Sequence, residues 1–403
     1  MHCTRKVTED IVWIGGNDRR ISLFENLYPL DKGVSYNSYL IKDEKTCLMD
    51  TVDYAAGRQF LENLAYALDG RDLDYMVIQH MEPDHCSILK TVAHIHPEAK
   101  IVVNAKTVPM MKQFFDFEAP DRLVIVKEND TLELGSHTLT FVMAPMVHWP
   151  EVMMTYDSKD KVLFSADGFG TFGAINGTIF ADEVDYDRDW LDDSRRYYCN
   201  IVGKYGTQVQ AALKKAAGLD IQILCPLHGV IWRENLGYIL DKYNKWSTYE
   251  PEEKGVMIVY ASMYGNTENM AEVLAFQLAE QGVKTKLYDV STTHCSWLVG
   301  EAFHYSHIVV AAPTYNSGLY PLIDHFFAEL KSHGLKGRTF AFLDNGTWAA
   351  TAGKQMAKLV EEMKDMTILD EKVSIKSSLK EDQMSQVALL AEKLKASVQN
   401  FVL

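Results

Sequence analysis

The run His80-Met81-Glu82-Pro83-Asp84-His85 places two imidazoles and two carboxylates within six residues. Metal binding is the chemistry that calls for such a density of donors; the plain alternative is a satisfied polar turn. Alternate residues of an extended segment share a side, so His80 and Glu82 can converge on one ion. Asp84 and His85 lie beyond the turn and can converge on a second. Each ion then needs further donors. Three polar residues stand just past apolar, strand-like runs: His148 after 139–143, Asp167 after 161–165, and His228 after 221–224, followed by Gly229. Alone, each reads equally well as a turn former, a core residue or a surface residue. Four such strand ends in one half of the chain form a two-metal pattern, because loops there are held by a rigid sheet.

A second chemistry sits further along. After the apolar run 256–260 comes Ser262-Met263-Tyr264-Gly265-Asn266-Thr267, leading into a helical pattern. Unpaired N–H groups at a helix N-terminus carry partial positive charge and hold phosphate. The loop lacks the lysine of a Walker A motif and is not GxGxxG. A phosphate monoester held by hydroxyl and amide side chains suits FMN, whereas the plain alternative is an ordinary helix cap. Two more loops follow buried-type strands: Pro313-Thr314-Tyr315-Asn316-Ser317-Gly318 and Asn345-Gly346-Thr347-Trp348. Such loops form the ligand crevice of doubly wound sheets. Tyr315 and Trp348 could flank a flat ring, or simply pack.

The elements positioning these residues follow from periodicity. Strands are expected at 35–41 and 46–50, joined by the charged turn 42–45, then a helix over 55–68 with Phe60, Leu61, Leu64 and Leu68 on one face, then a strand at 75–79. The second half alternates strands at 256–260, 308–312 and 339–343 with helices, one over 267–281 carrying Met270, Val273, Leu274 and Leu278. That alternation predicts a parallel sheet. The charged segment 249–255, with Pro251 and Gly255, reads as a linker. It divides the chain into domains 1–250 and 255–403.

Composition narrows the function classes. The 403 residues carry 40 basic and 55 acidic side chains, a net charge of −15, which disfavours a nucleic-acid partner. No apolar run suits a membrane-spanning helix, and the N-terminus does not read as a signal peptide. The six cysteines are scattered without CxxC spacing, as expected of reduced thiols in a cytoplasmic protein, and they offer no iron–sulfur or rubredoxin-type site.

The metal pattern resembles the metallo-β-lactamase fold, whose usual motif is HxHxDH followed by a histidine, a bridging aspartate and a last histidine. Glu82 stands where the hydrolases carry a second histidine. Added carboxylate favours a harder ion, which tilts the site from dizinc hydrolysis towards di-iron redox chemistry. The three loops of the second half resemble flavodoxin. Together, the whole chain resembles the flavodiiron proteins (A-type flavoproteins).

That resemblance implies an α/β and α+β architecture: an N-terminal metallo-β-lactamase-like αββα sandwich, then a C-terminal flavodoxin-like doubly wound parallel sheet. It implies two iron ions per chain, one on His80, Glu82 and His148, the other on Asp84, His85 and His228, with Asp167 bridging. It also implies FMN, and reduction of O2 to water, of NO to N2O, or both. A head-to-tail homodimer, or a dimer of such dimers, would bring the FMN of one subunit to the irons of the other, near Glu82 and Trp149. With no rubredoxin or flavin reductase segment appended, electrons are expected from a separate carrier such as rubredoxin, or a reduced deazaflavin in a methanogen relative. Some members carry a histidine near the iron pocket ahead of the first strand pair. The corresponding stretch here is Phe24-Glu25-Asn26, so no histidine proton donor carries over. The competing readings are a dizinc hydrolase with an attached flavodoxin-like module, and an electron carrier on a metal-free scaffold.

Overall fold

In the computed structural model, described for residues 1–116 and 119–403, the chain divides into two compact units. One comprises Met1–Tyr198 with Thr207–Asn244, the other Cys199–Gly206 with Lys245–Leu403.

The first unit is built on two sheets. The seven-stranded sheet runs Arg5–Lys6, Ile11–Trp13, Tyr39–Lys42, Thr46–Met49, Tyr75–Val77, Lys100–Asn104, Leu123–Val126. Its pairing is antiparallel as far as Thr46–Met49 and parallel beyond. The five-stranded sheet runs Thr131–Glu133, Thr138–Met143, Met153–Asp157, Val162–Phe164, Ile223–Cys225, with only the last pair parallel. Their inner faces share one core: Trp13, Tyr39, Met49, Val77 and Val102 pack with Phe141, Met153, Val162, Phe164 and Cys225. This is the expected sandwich. The helix Gly57–Leu68 buries Phe60, Leu64, Ala67 and Leu68, a stripe at helical spacing, and stops where Asp69 turns left-handed.

One strand expectation fails. The predicted strand 35–41 is two strands, Val34–Tyr36 and Tyr39–Lys42, which pair in different sheets. The break falls at Asn37-Ser38. Asn37 is buried and its amide is fully used: Oδ1 accepts from Trp13 Nε1 at 2.9 Å, and Nδ2 donates to the carbonyls of Pro226 and Gly229 at 2.9 Å each. A buried amide must find such partners, and these exist only when the strand breaks. The predicted linker 249–255 is also shorter than expected. The helix Leu236–Thr248 and the strand Glu253–Tyr260 leave four residues between them, because Glu253 and Lys254 already belong to the strand.

The second unit is a parallel sheet in the order Thr285–Asp289, Glu253–Tyr260, Tyr305–Pro313, Thr339–Asn345, with Thr367–Ile368 and Val373–Ile375 both paired to the last of these. Every residue of Tyr305–Pro313 is buried, as befits a central parallel strand covered on both faces. Asn266–Glu280 and Met384–Asn400 pack together on one face, through Met270, Leu274, Leu278, Val387, Leu390 and Leu394. Cys295–His304 packs against Pro321–Ser332, whose Phe327 meets Phe340 of the sheet. Among the described residues, no helix is long and apolar enough to cross a membrane.

Candidate metal and flavin sites

The metal-ligand candidates meet at one end of the first unit. The strand Tyr75–Val77 delivers the chain to Gln79 and His80, whose N–H groups bond to Asp50 at 2.8 and 3.4 Å. Pro83–Cys86 is one helical turn opened by proline, and it turns Asp84 and His85 away from Glu82. The carbonyl of His85 accepts from Thr51 N–H and Oγ1 at 2.9 and 2.8 Å, tying that turn to the end of the strand Thr46–Met49. Asp167 follows Val162–Phe164, in a loop where Ser165 Oγ donates to Gly168 O at 2.7 Å. The loop carrying His228 is pinned by the broken strand: Asn37 N–H donates to Leu227 O at 2.7 Å, and Gly229 N–H to Ser35 Oγ at 2.7 Å.

These loops place seven donors in two groups. His80 Nε2 lies 3.2 Å from Glu82 Oε2 and 3.1 Å from Asp167 Oδ2, and His148 Nε2 lies 2.9 and 3.4 Å from the same two oxygens. His85 Nε2 lies 3.4 Å from Asp84 Oδ2 and 3.2 Å from Asp167 Oδ1; His228 Nε2 lies 3.2 and 3.7 Å from these. Asp167 thus turns one oxygen to each group. Donor atoms about 2.1 Å from a shared ion and about 90–110° apart are about 3.0–3.4 Å from each other, so both groups have the spacing of coordination shells.

Hydrogen bonding supports the same fit. Asp84 Oδ1 and Oδ2, His85 Nδ1 and Nε2, and Asp167 Oδ1 and Oδ2 are buried without a hydrogen-bond partner. Five of these, all but the outward-facing His85 Nδ1, converge on one region and would be costly unless a cation meets them. His80 Nδ1 lies 2.8 Å from Glu151 Oε1, and His228 Nδ1 lies 2.8 Å from Ser35 O. Each partner fixes the ring so that Nε2 faces the site, the usual arrangement behind a metal-bound imidazole.

The charges are interdependent. Burial works against charging His80, but the negative charge of Asp167, with the Glu151 and Glu82 carboxylates accepting from the ring nitrogens, overcomes it and holds the ring well above its ordinary value. His148 is raised to about 9 against burial, through Asp167 and Glu82. Asp167 is buried, yet the His80 and His85 imidazoles hold it well below the usual carboxylate range. Protons and a metal ion therefore compete for the same donors.

Two participants escape a reading of the sequence. Glu151 is buried, and its Oε1 also accepts from Met81 N–H at 2.9 Å. Its sequence position, three residues after His148, is the only signal, and many glutamates lie that close to a histidine. Glu25, in the stretch that lacks a histidine, is exposed and lies close enough to Glu82 for the two carboxyls to interact. Loss of water around that carboxyl, then the charge of Glu82, push it up to about 8.

In the second unit a cavity of about 130 Å3 opens at the C-terminal ends of the parallel strands. Ser262, Met263, Tyr264, Asn266, Thr267, Pro313, Thr314, Asn345, Gly346 and Trp348 line it, joined by Thr347, Ala349 and Ser377. Gly265 caps the helix Asn266–Glu280 in a left-handed conformation and donates its N–H to Ser262 Oγ at 3.0 Å. It shapes the loop without lining the cavity. Tyr315, Asn316, Ser317 and Gly318 also lie outside the lining, in a turn closed by reciprocal Tyr315–Gly318 backbone bonds of 3.0 and 2.8 Å. Ser377 lies beyond Val373–Ile375, too far from the three loops to be found by their pattern; its N–H reaches Asn345 Oδ1 at 3.1 Å. Trp348 and Tyr264 are 85% and 90% exposed, so a flat ring bound here would meet aromatic surface at the rim.

A sandwich with a paired imidazole–carboxylate donor set, followed in the chain by a flavodoxin-type sheet, defines a two-centre redox protein. Residues 34–229 match the family described as ODP family beta lactamase, and residues 258–388 match Flavodoxin. An uncharacterised protein of Methanocaldococcus jannaschii is 31% identical over 94% of this chain and 95% of its own. The anaerobic nitric oxide reductase flavorubredoxin of Escherichia coli is 31% identical over 88% of this chain and 75% of its own. The rubredoxin oxygen:oxidoreductase of Desulfovibrio gigas superposes with a TM-score of 0.91 at 28% identity, covering 98% of each chain. The flavodiiron protein of Giardia intestinalis does so at 0.92 and 27%, again over 98% of each. The chain belongs to the flavodiiron family of oxidoreductases.

Proposed function

We propose that this protein reduces O2 to water, NO to N2O, or both, at two iron ions, with electrons passed through FMN from a carrier of the rubredoxin type. The observation that carries this reading is the split carboxylate of Asp167, with one oxygen towards His80, Glu82 and His148 and the other towards Asp84, His85 and His228. The irons would supply electrons and adjacent open positions for the small substrate. His80, Glu82 and His148 would hold one, Asp84, His85 and His228 the other, and Asp167 both.

The chain's own side chains have defined tasks. Glu151 and the Ser35 carbonyl fix the His80 and His228 rings. Loss of water and the charge of Glu82 push the Glu25 carboxyl up. It is placed to donate to substrate oxygen, a task for which a carboxyl needs such an environment. Ser262, Thr267 and the helix N-terminus after Gly265 would hold the flavin phosphate. Head-to-tail pairing of two chains would bring flavin and iron together in trans, and Trp348 and Tyr264 suit such a junction through their exposure.

The test is metal and flavin analysis of purified protein, followed by anaerobic turnover with reduced rubredoxin and each gas. Two iron ions and one FMN per chain, with consumption of O2 or NO, are expected. Two zinc ions and hydrolysis of a lactam, thioester or phosphodiester without redox turnover would overturn the reading.

A further inference from the structure

Two apolar cavities lie against the helix Gly206–Ala216 in the first unit. The outer, about 340 Å3, is walled by leucine, isoleucine, alanine and phenylalanine side chains, and exposed Ala217 and Asn244 mark where it reaches solvent. The inner, about 20 Å3, is lined in part by buried Val147 and Gly168. These are the immediate chain neighbours of His148 and Asp167. Phe169, Leu213 and Ala216 line both cavities, so the two are separated only by shared walls. Tyr243 brings a hydroxyl to the inner wall, but that oxygen accepts the Phe169 N–H at 2.6 Å.

Such walls suit one class of occupant. A buried water needs two to four polar partners, whereas an apolar cavity of about 150 Å3 already stays dry and takes up xenon or benzene. The inner cavity has room for one small molecule, on the scale where about 10–15 Å3 holds a water. We propose that the two cavities bind a diatomic apolar gas and admit it from the surface under Gly206–Ala216 to the backbone beside His148 and Asp167. The proposal rests on the reading of the site as an O2 or NO reductase, and it gives that substrate a route separate from the exposed Glu25.

The test uses the holoenzyme and xenon as a probe. Crystals under xenon pressure should show xenon between Leu213 and Ala216. Ala216→Phe should exclude it and lower kcat/KM for the gas by about tenfold, equal to an added entry barrier of about 1.4 kcal/mol, with iron and FMN content unchanged. Ala211→Phe, on the exposed side of the same helix, should change neither; if Ala216→Phe does not fold, Leu213→Phe replaces it. Absence of xenon from the wild-type cavity, an acyl chain bound there, or unaltered kcat/KM in a variant that excludes xenon overturns the route. A wild-type holoenzyme that consumes neither gas defeats the functional reading itself, a result distinct from those three.

Discussion

Glu151 offers the sharpest test of how the metal site is held. Its carboxylate touches no substrate and acts through His80. It is buried, lies 2.8 Å from His80 Nδ1 and accepts Met81 N–H at 2.9 Å. Glu151→Ala removes both contacts at once. Two buried groups lose their acceptor, which costs about 1–3 kcal/mol each, and the His80 ring loses its orientation. Loss of such an outer partner weakens metal affinity about 10–100-fold. The damage should be one-sided, because His85 and His228 do not depend on Glu151. The variant is therefore expected to lose iron to a chelator in two phases, one about 10–100 times faster than wild type and one unchanged. Glu151→Gln keeps an acceptor at the same place but loses the charge, and should fall at the mild end of that range. The assay is iron release followed by absorbance with a ferrous chelator, beside a thermal melt of the metal-free protein. A single phase at the wild-type rate in Glu151→Ala would refute the argument that this carboxylate holds His80 in place.

Other outcomes follow from the same geometry. Glu82→His, with His80 and His148, makes an all-imidazole set of three donors beside Asp167 and should shift the preference from iron towards zinc, read by metal analysis after growth with both ions, with loss of gas reduction. In the metal-free protein His148 is held at about 9, above its ordinary 6.5. Its pairing with Glu82 and Asp167 therefore stabilises the fold fully below about pH 6.5 and is lost as pH rises through about 9; chemical denaturation across pH 6–10 should show that decline, and it should vanish in His148→Ala. Gly346→Ala would put a methyl 2.1 Å from Ala349 O, so the loop must move; FMN affinity, measured by fluorescence quenching, should fall while iron content stays. Leu274→Ala, in the core of the second unit, should cost about 2–5 kcal/mol in urea unfolding.

How much of this was legible in the residues depends on how local each cause is. The candidate donors stand out because metal chemistry restricts residue type severely, and each stands just past an apolar run whose period marks a strand. The parallel sheet of the second half was legible for the same reason, and its helix over 267–281 begins one residue early, at Asn266, and ends at Glu280. The strand break at Asn37 was not legible, since 34–41 is apolar enough for one strand. What divides it is a buried amide reaching Trp13, Pro226 and Gly229, partners far away in sequence. Gly265 and the Tyr315–Gly318 turn carry the right residue types for a flavin loop, and they adjoin lining residues Tyr264, Asn266 and Thr314 without lining the cavity themselves.

The sequence by itself determined the candidate donor set, the two-part architecture and, through Glu82, the tilt towards redox chemistry. Those follow from side-chain chemistry and from periods of two and 3.6 residues. Only the tertiary structure decided which oxygen of Asp167 faces which imidazoles, that Glu151 and the Ser35 carbonyl orient two of the rings, and that Glu25 stands beside Glu82. Those contacts join residues up to 193 positions apart. No local pattern encodes them, because they exist only once both sheets have closed on a common core.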